Sequence, residues 1–138
     1  MFDPDKIARA NAMAKGTLME TLGIRYLAGP DGSLAATMPV GPAVHQPMGL
    51  LHGGATAALA ESLGSCGSFL LIDPATQAVV GIEVNANHIK GVRSGTVTAT
   101  GTVVHQGRTT HVWDIRVTDE QGALVAVCRI TNLIITKR

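Results

Sequence analysis

Aromatic residues are scarce in this chain of 138 residues, which has two Phe, one Tyr and one Trp. Its core must therefore be aliphatic and rich in alanine, and stacking platforms for nucleic-acid bases are not expected. Charge is scarce as well, because charged residues make up 15% of the chain and the net charge is +1. No stretch concentrates Lys or Arg, so the chain lacks the electrostatic signature of a protein that binds nucleic acid or an anionic membrane.

Cysteine and long apolar runs are equally limited. Cys66 and Cys128 have neither CxxC spacing nor the density of a disulfide scaffold, so we interpret them as core thiols. No run reaches the roughly 20 uncharged apolar residues of a membrane span, and charged residues interrupt the first 15 positions, where a signal peptide would need an apolar stretch. The sequence therefore predicts a cytoplasmic protein with no membrane partner.

Apolar residues are nevertheless abundant. The mean hydropathy is +0.25, which is high for a small protein with so few charges. We therefore expect part of the apolar surface to be covered by another subunit. The length is typical of one domain, so a single domain over residues 1–138 is expected.

The order of elements predicts an α+β fold with segregated helices and antiparallel strands. Asp3 followed by Pro4 is typical of a helix start, and a hairpin is expected around the turn at 29–32. A long central helix is predicted over residues 51–72. Four long strands follow, predicted at 77–89, 95–106, 109–118 and 123–136 from their Val, Ile and Thr content and alternating pattern.

The central helix has two different sides. At about 100° per residue, one narrow stripe is predicted to face the sheet, and it consists of Leu59, Leu63, Cys66 and Leu70. The opposite side is small and almost uncharged, which predicts close approach by a ligand or another helix; it carries Gly54, Ala57, Glu61, Gly64, Ser65 and Ser68.

Several groups in and before this helix can do chemistry. Glu61 is the only charged residue between Gly53 and Ile72, which favours a functional carboxylate over a solvated one, and Ser65 lies one turn later on the same side. The glycines after His52 stand where backbone amides at a helix start lack partners, which makes a site for developing negative charge. Gln46 lies six residues before His52 in a loop.

The segment HQPMGLLHGGATAALAESLGS resembles the signature of hotdog-fold acyl-CoA thioesterases, in the phenylacetate-degradation and 4-hydroxybenzoyl-CoA thioesterase branch. The similarity continues through residues 87–90 and 107–113 and covers nearly the whole chain. It implies one hotdog domain, a long central helix wrapped by an antiparallel sheet. It also implies a homodimer with two shared active sites, often paired again into a homotetramer.

The resemblance also implies roles for individual residues. Glu61 matches the nucleophile or general base, and the Gly53 amide matches the donor that polarises the thioester carbonyl. Gln46 and His52 match groups that orient substrate or water, and Ser65 matches a hydroxyl on the next turn. Substrate-binding candidates in the matched segments, or next to them, are His88, Lys90, Arg93, Arg108 and Thr109.

Hydrolysis of an acyl-CoA by an amide donor and a carboxylate needs neither a metal nor an organic cofactor, and CoA itself is part of the substrate. The histidines and cysteines show no metal-ligand spacing. Two alternatives are a hotdog hydratase or dehydratase and a non-catalytic acyl-CoA sensor. Aryl and medium-chain aliphatic acyl groups both remain open, with aryl favoured by the resemblance alone.

Overall fold

The computed structural model describes residues 2–138 and contains the predicted order of elements. The first helix starts at Pro4, and the Asp3 side chain accepts a hydrogen bond from the Asp5 amide at 2.9 Å, as an N-cap residue does. In chain order the elements are α1 (Pro4–Met13), α2 (Leu18–Leu22), β1 (Arg25–Ala28), β2 (Leu34–Val40), α3 (Gly53–Leu71), β3 (Gln77–His88), β4 (Gly95–Gln106), β5 (Thr110–Thr118) and β6 (Leu124–Thr136).

The six strands form one antiparallel sheet in the order β1-β2-β4-β5-β6-β3. α3 packs on one face of this sheet and contacts β2, β3, β4, β5 and β6. The α+β prediction and the hotdog architecture, a long helix wrapped by an antiparallel sheet, are confirmed. No helix within residues 2–138 combines the length and apolar character that crossing a membrane requires.

The sheet wraps farther around α3 than predicted. Leu59, Leu63, Cys66 and Leu70 are buried as expected. Gly64 and Ser68, predicted to lie on the opposite side with Glu61, are buried against the sheet as well. At about 100° per residue the buried positions span roughly 200° of the helix surface, because the curved sheet encloses more than half of it.

Gly64 and Ser68, the two residues that are buried contrary to the prediction, have specific partners in the sheet. A Cβ at Gly64 would come within 2.9 Å of Ile130, so the glycine allows close packing there. Ser68 Oγ accepts hydrogen bonds from Trp113 Nε1 and Asn132 Nδ2, both at 2.9 Å. Polar contacts between α3 and the sheet therefore account for Ser68.

Both cysteines are buried and free, in line with their interpretation as core thiols. Burial raises the pKa of Cys66 to about 12. Burial, assisted by the charge of Asp114, raises the pKa of Cys128 to about 11. Neither thiol is therefore ionised near neutral pH.

β3 forms one edge of the sheet and pairs only with β6 among the described residues. It is 12 residues long, and its apolar side chains Val80, Ile82 and Val84 are 43%, 58% and 41% exposed. The opposite edge is the four-residue β1. A long apolar edge strand is a surface on which another chain can pair.

Candidate active site

Glu61 lies near the middle of α3, beside β3 and at the border of the side that the sheet leaves open, and its side chain is half-buried. Ser65 Oγ donates a hydrogen bond to Glu61 Oε1 at 3.4 Å. Burial raises the pKa of the Glu61 carboxyl, the bond from Ser65 opposes this rise, and the charge of Glu83 adds to it. A carboxylate with a raised pKa holds a proton more strongly, which suits a general base.

The Glu61 carboxyl stands at the wall of a largely apolar cavity of about 660 Å³. α3 forms one wall, and the loops and helices before β1 form another. Glu61, Ser62 and Ser65 are the polar lining groups from α3, and Gln77 and Lys137 lie on the sheet side. The apolar lining includes Met13, Leu18, Met19, Cys66 and Phe69.

The N-terminus of α3 is built around His52. Its Nδ1 accepts a hydrogen bond from the Gly54 amide at 2.8 Å, so the neutral ring carries its proton on Nε2. The amides of Ala55 and Thr56 both donate to the His52 carbonyl. Within residues 2–138 the Gly53 amide has no such acceptor, which leaves it available to an incoming oxygen.

The loop before α3 is ordered by its own hydrogen bonds. The side-chain oxygen Oε1 of Gln46 accepts a hydrogen bond from the backbone amide of Met48. The backbone amide of Gln46 donates a hydrogen bond to the Leu50 carbonyl at 2.8 Å. The Leu51 amide donates to the Val92 carbonyl at 2.7 Å, which ties the loop to the segment after β3. Because its oxygen is engaged and its Nε2 has no partner within residues 2–138, the Gln46 side chain can offer Nε2 as a donor.

His88 lies beside Gly53 rather than beside Glu61. A Cβ placed on Gly53 would come within 2.9 Å of His88 Nε2. The other end of β3 contacts Glu61, because a Cβ on Gly81 would overlap Glu61 Oε1. β3 therefore runs antiparallel to α3 and touches both groups.

The predicted residues thus form two clusters in one chain. We call Glu61 and Ser65 the carboxylate half-site. The amide half-site consists of Gln46, His52, Gly53 and His88. Since Gly53 and Glu61 are eight residues apart in one helix, their backbones are separated by about 12 Å along its axis.

The basic candidates are likewise divided. Lys90 and Arg93 follow β3 at the end of the sheet near the amide half-site, where Lys90 forms an ion pair with Asp119 and Arg93 Nη1 donates to the Met48 carbonyl at 3.4 Å. Arg108 and Thr109 lie in the turn between β4 and β5 at the other end, about 35 Å away along β4. One chain does not bring these residues together.

Two features of the site escaped sequence reasoning. The cavity walls from α1 and α2 depend on how these helices pack, which local patterns do not reveal. Gly81 carried a usable signal, since a lone glycine inside a strand often marks a bulge or a close approach.

No three His, Cys, Asp or Glu side chains in the described part of the chain are grouped so as to hold a metal ion.

The sequence model of the thioesterase superfamily matches residues 48–126. The esterase PA1618 of Pseudomonas aeruginosa is 50% identical over 132 residues, which cover 96% of this chain and 90% of that protein. A crystal structure of a mutant of that thioesterase superposes with a TM-score of 0.92 at 48% identity and covers 95% of this chain and 94% of that chain.

Two further relatives carry more specific names. The proofreading thioesterase EntH of Cronobacter turicensis is 45% identical, and the match covers 90% of each chain. The 1,4-dihydroxy-2-naphthoyl-CoA hydrolase of Escherichia coli is 43% identical, and the match covers 91% of each chain. These matches run over almost the full length of each protein, and they confirm the predicted family.

Proposed function

The chain belongs to the thioesterase superfamily and is a thioester hydrolase, and we propose that it converts an aryl- or medium-chain acyl-CoA to the free acid and CoA. The observation that carries this proposal is the half-buried Glu61 carboxyl at the wall of the apolar cavity. In the proposal Glu61 either adds to the thioester carbonyl, expelling CoA as the thiolate and leaving an anhydride that water hydrolyses, or it takes a proton from the water that attacks the carbonyl and displaces the same thiolate. The Gly53 amide binds the carbonyl oxygen as negative charge develops there.

The cavity beside Glu61 suits the acyl group. Its volume of about 660 Å³ falls in the range of small-molecule sites. Its apolar lining is mostly methionine and aliphatic side chains, together with Phe69 and Tyr26, and such a lining accepts either a flat ring or a flexible chain. The name of the naphthoyl-CoA hydrolase supports the aryl alternative. CoA enters as part of the substrate, so the proposed reaction uses no separate cofactor.

The active site is proposed to be shared between two chains. The separation of about 12 Å between Gly53 and Glu61 is too long for both to reach one carbonyl. Two antiparallel copies of α3 would bring the Gly53 of one protomer to the Glu61 of the other. A second copy of the chain is therefore the proposed partner, in a homodimer that pairs again into a homotetramer.

The two elements that carry the site are compatible with one twofold axis. The midpoint of α3 between Gly53 and Glu61 is Ala57. Their neighbours in β3 are His88 and Gly81, and the midpoint between these two falls between residues 84 and 85. Since β3 runs antiparallel to α3, these centres lie across from each other. An axis there would also pair the exposed β3 edges, covering their apolar side chains.

A shared site would also gather the basic residues. Lys90 and Arg93 lie at the end of the sheet near Gly53, whereas Arg108 lies near the end where β3 begins. Joining opposite ends of two protomers would place both groups around one substrate. We propose that one or more of them contacts the phosphates of CoA.

The proposal is tested by measuring thiol release from a panel of acyl-CoAs that includes benzoyl-CoA and octanoyl-CoA. The wild-type protein is compared with the variant Glu61→Gln. We expect turnover to fall by at least about a hundredfold while CoA binding remains, since the amide cannot act as base or nucleophile. Glu20→Gln is the matched control, because Glu20 is an exposed carboxylate on α2. Activity of Glu61→Gln within a few-fold of wild type would remove Glu61 from the mechanism.

The non-catalytic sensor alternative predicts a different result in the same assay. A sensor would bind acyl-CoA and release no thiol from any member of the panel. The hydratase or dehydratase alternative is not supported by the relatives, whose names describe esterases and thioester hydrolases.

A further inference from the structure

The Glu61 carboxyl rests against the backbone of β3 at Gly81. A Cβ built on Gly81 would overlap Glu61 Oε1 and lie 3.2 Å from Glu61 Cδ. The pairing of β3 with β6 shifts register directly after this residue, between Gly81 and Glu83. The carboxyl therefore occupies the space that any other residue at position 81 would fill with its side chain.

Little else in the described structure holds this carboxyl in place. Its one hydrogen bond within residues 2–138 comes from Ser65 Oγ, at the long distance of 3.4 Å. The side chain also borders the open cavity, so packing does not enclose it on that side. Within residues 2–138, contact with the bare backbone of β3 is thus a second restraint on the carboxyl besides the bond from Ser65.

A glycine inside a strand has a cost, because it provides no side chain to pack and weakens the strand. Its neighbours here are Val80 and Ile82, which are typical strand residues. Two explanations for the glycine are possible. It can permit the local irregularity of β3, or it can leave room for the carboxyl, and only the second ties it to the reaction.

We propose that Gly81 is a positioning residue for the carboxylate of Glu61, and that its missing side chain forms the slot holding the carboxylate against the thioester. The inference rests on the proposed role of Glu61 as base or nucleophile. A methyl group at position 81 would displace the carboxyl by about 1 Å, a misplacement that can lower turnover by about a hundredfold.

The variant Gly81→Ala should therefore lower kcat by about ten- to a hundredfold and change KM little, because the acyl cavity and the CoA contacts remain. Glu61→Asp supplies the decisive background, since its carboxyl is retracted by one methylene, about 1.5 Å, and leaves room for the methyl. In that background Gly81→Ala should change kcat by less than about twofold. Gly41→Ala is the control, because a Cβ there meets nothing within 4 Å.

A second measurement on Gly81→Ala does not depend on turnover. Displacement of the carboxyl in Gly81→Ala should change the pKa of Glu61, because its burial, the bond from Ser65 and the distance to Glu83 all depend on where the carboxyl lies. Titration of the Glu61 carboxyl by carbon NMR in both proteins measures this shift. An unchanged pKa would overturn the proposal.

The remaining outcomes separate the inference from the proposed function. Equal effects of Gly81→Ala in the wild-type and Glu61→Asp backgrounds, or failure to fold in both, assign the glycine to the strand and overturn the proposal. Folding only in the Glu61→Asp background supports it. Full activity of Gly81→Ala beside an inactive Glu61→Gln refutes the inference alone, whereas an active Glu61→Gln refutes the proposed function.

Discussion

A site shared between protomers makes a quantitative prediction for mixtures of two inactive variants. Glu61→Gln removes the carboxylate from one half-site, and Gly53→Pro removes the amide from the other. Proline suits position 53, because it is the first residue of α3 and the preceding His52 is already extended, with φ −67° and ψ 130°. The proline Cβ would also displace the His88 ring, which belongs to the same half-site. Each change therefore disables one half-site with little expected cost to the helix.

The magnitude follows from counting sites. In a mixed dimer, one site combines the intact amide of the Glu61→Gln chain with the intact carboxylate of the Gly53→Pro chain, and the other site loses both. Random pairing of equal amounts makes half of the dimers mixed, so about 25% of wild-type activity should return. Sites confined to one chain would return none, because every chain carries a defect.

The assay is thiol release after the two variants are unfolded, mixed and refolded together. Each variant refolded alone is the first control, and the two folded proteins mixed without unfolding are the second. Differently sized tags on the two variants allow the mixed dimers to be isolated and counted. Verified mixed dimers with no more activity than the parents would refute the shared site.

Two further predictions concern binding and stability. Arg93→Ala or Arg108→Ala should raise KM for acyl-CoA without affecting a truncated pantetheine thioester, and equal effects on both substrates would argue against a phosphate contact. Burial lowers the pKa of His111, with the nearby His105 adding to the effect. As pH falls below about 6.5, His111 of the unfolded chain therefore binds a proton that the folded chain does not bind. The free energy of unfolding should then decrease by at most about 1.4 kcal/mol per pH unit, until the pH has passed the pKa of His111 in the folded chain. Urea unfolding at several pH values measures this, and a slope that persists in His111→Gln would contradict the assignment.

Local pattern was sufficient for the secondary structure. The pattern predicts the four long strands, β3 to β6, to within about a residue, because β-branched residues alternate along them and glycine-containing turns separate them. The pattern predicts the helix start two residues early, since Leu51 extends the apolar pattern of the helix into the preceding loop. The structure shows that His52 is the N-cap, and its ring bonds back to Gly54.

The contact surface of α3 was harder to predict. A stripe of leucines predicts the centre of a buried face, but its width depends on how far the sheet curves. Gly64 and Ser68 fall within that width, where small size and a hydroxyl serve packing against Ile130 and Trp113. Small residues on a helix predict that something approaches closely, and they do not identify which element does so.

The candidate site, too, can be predicted from the sequence only in part. Residue type and spacing within one segment indicate Gln46, Gly53 and Glu61. The contacts of Gly53 with His88 and of Glu61 with Gly81 join residues 35 and 20 positions apart in the chain, respectively. Such contacts follow from the direction of β3 relative to α3, which a local pattern does not encode.

The long edge strand, the open side of α3 and the divided site have a common physical basis. α3 is rigid, so the separation between Gly53 and Glu61 cannot close by bending, and β3 runs alongside the helix and contacts both residues. The exposed apolar side chains Val80 and Ile82 flank Gly81, and the open cavity borders Glu61, so both adjoin the carboxylate half-site. Pairing two chains on these surfaces would bury apolar side chains and complete the proposed chemistry in one step, so assembly and activity would depend on the same contacts.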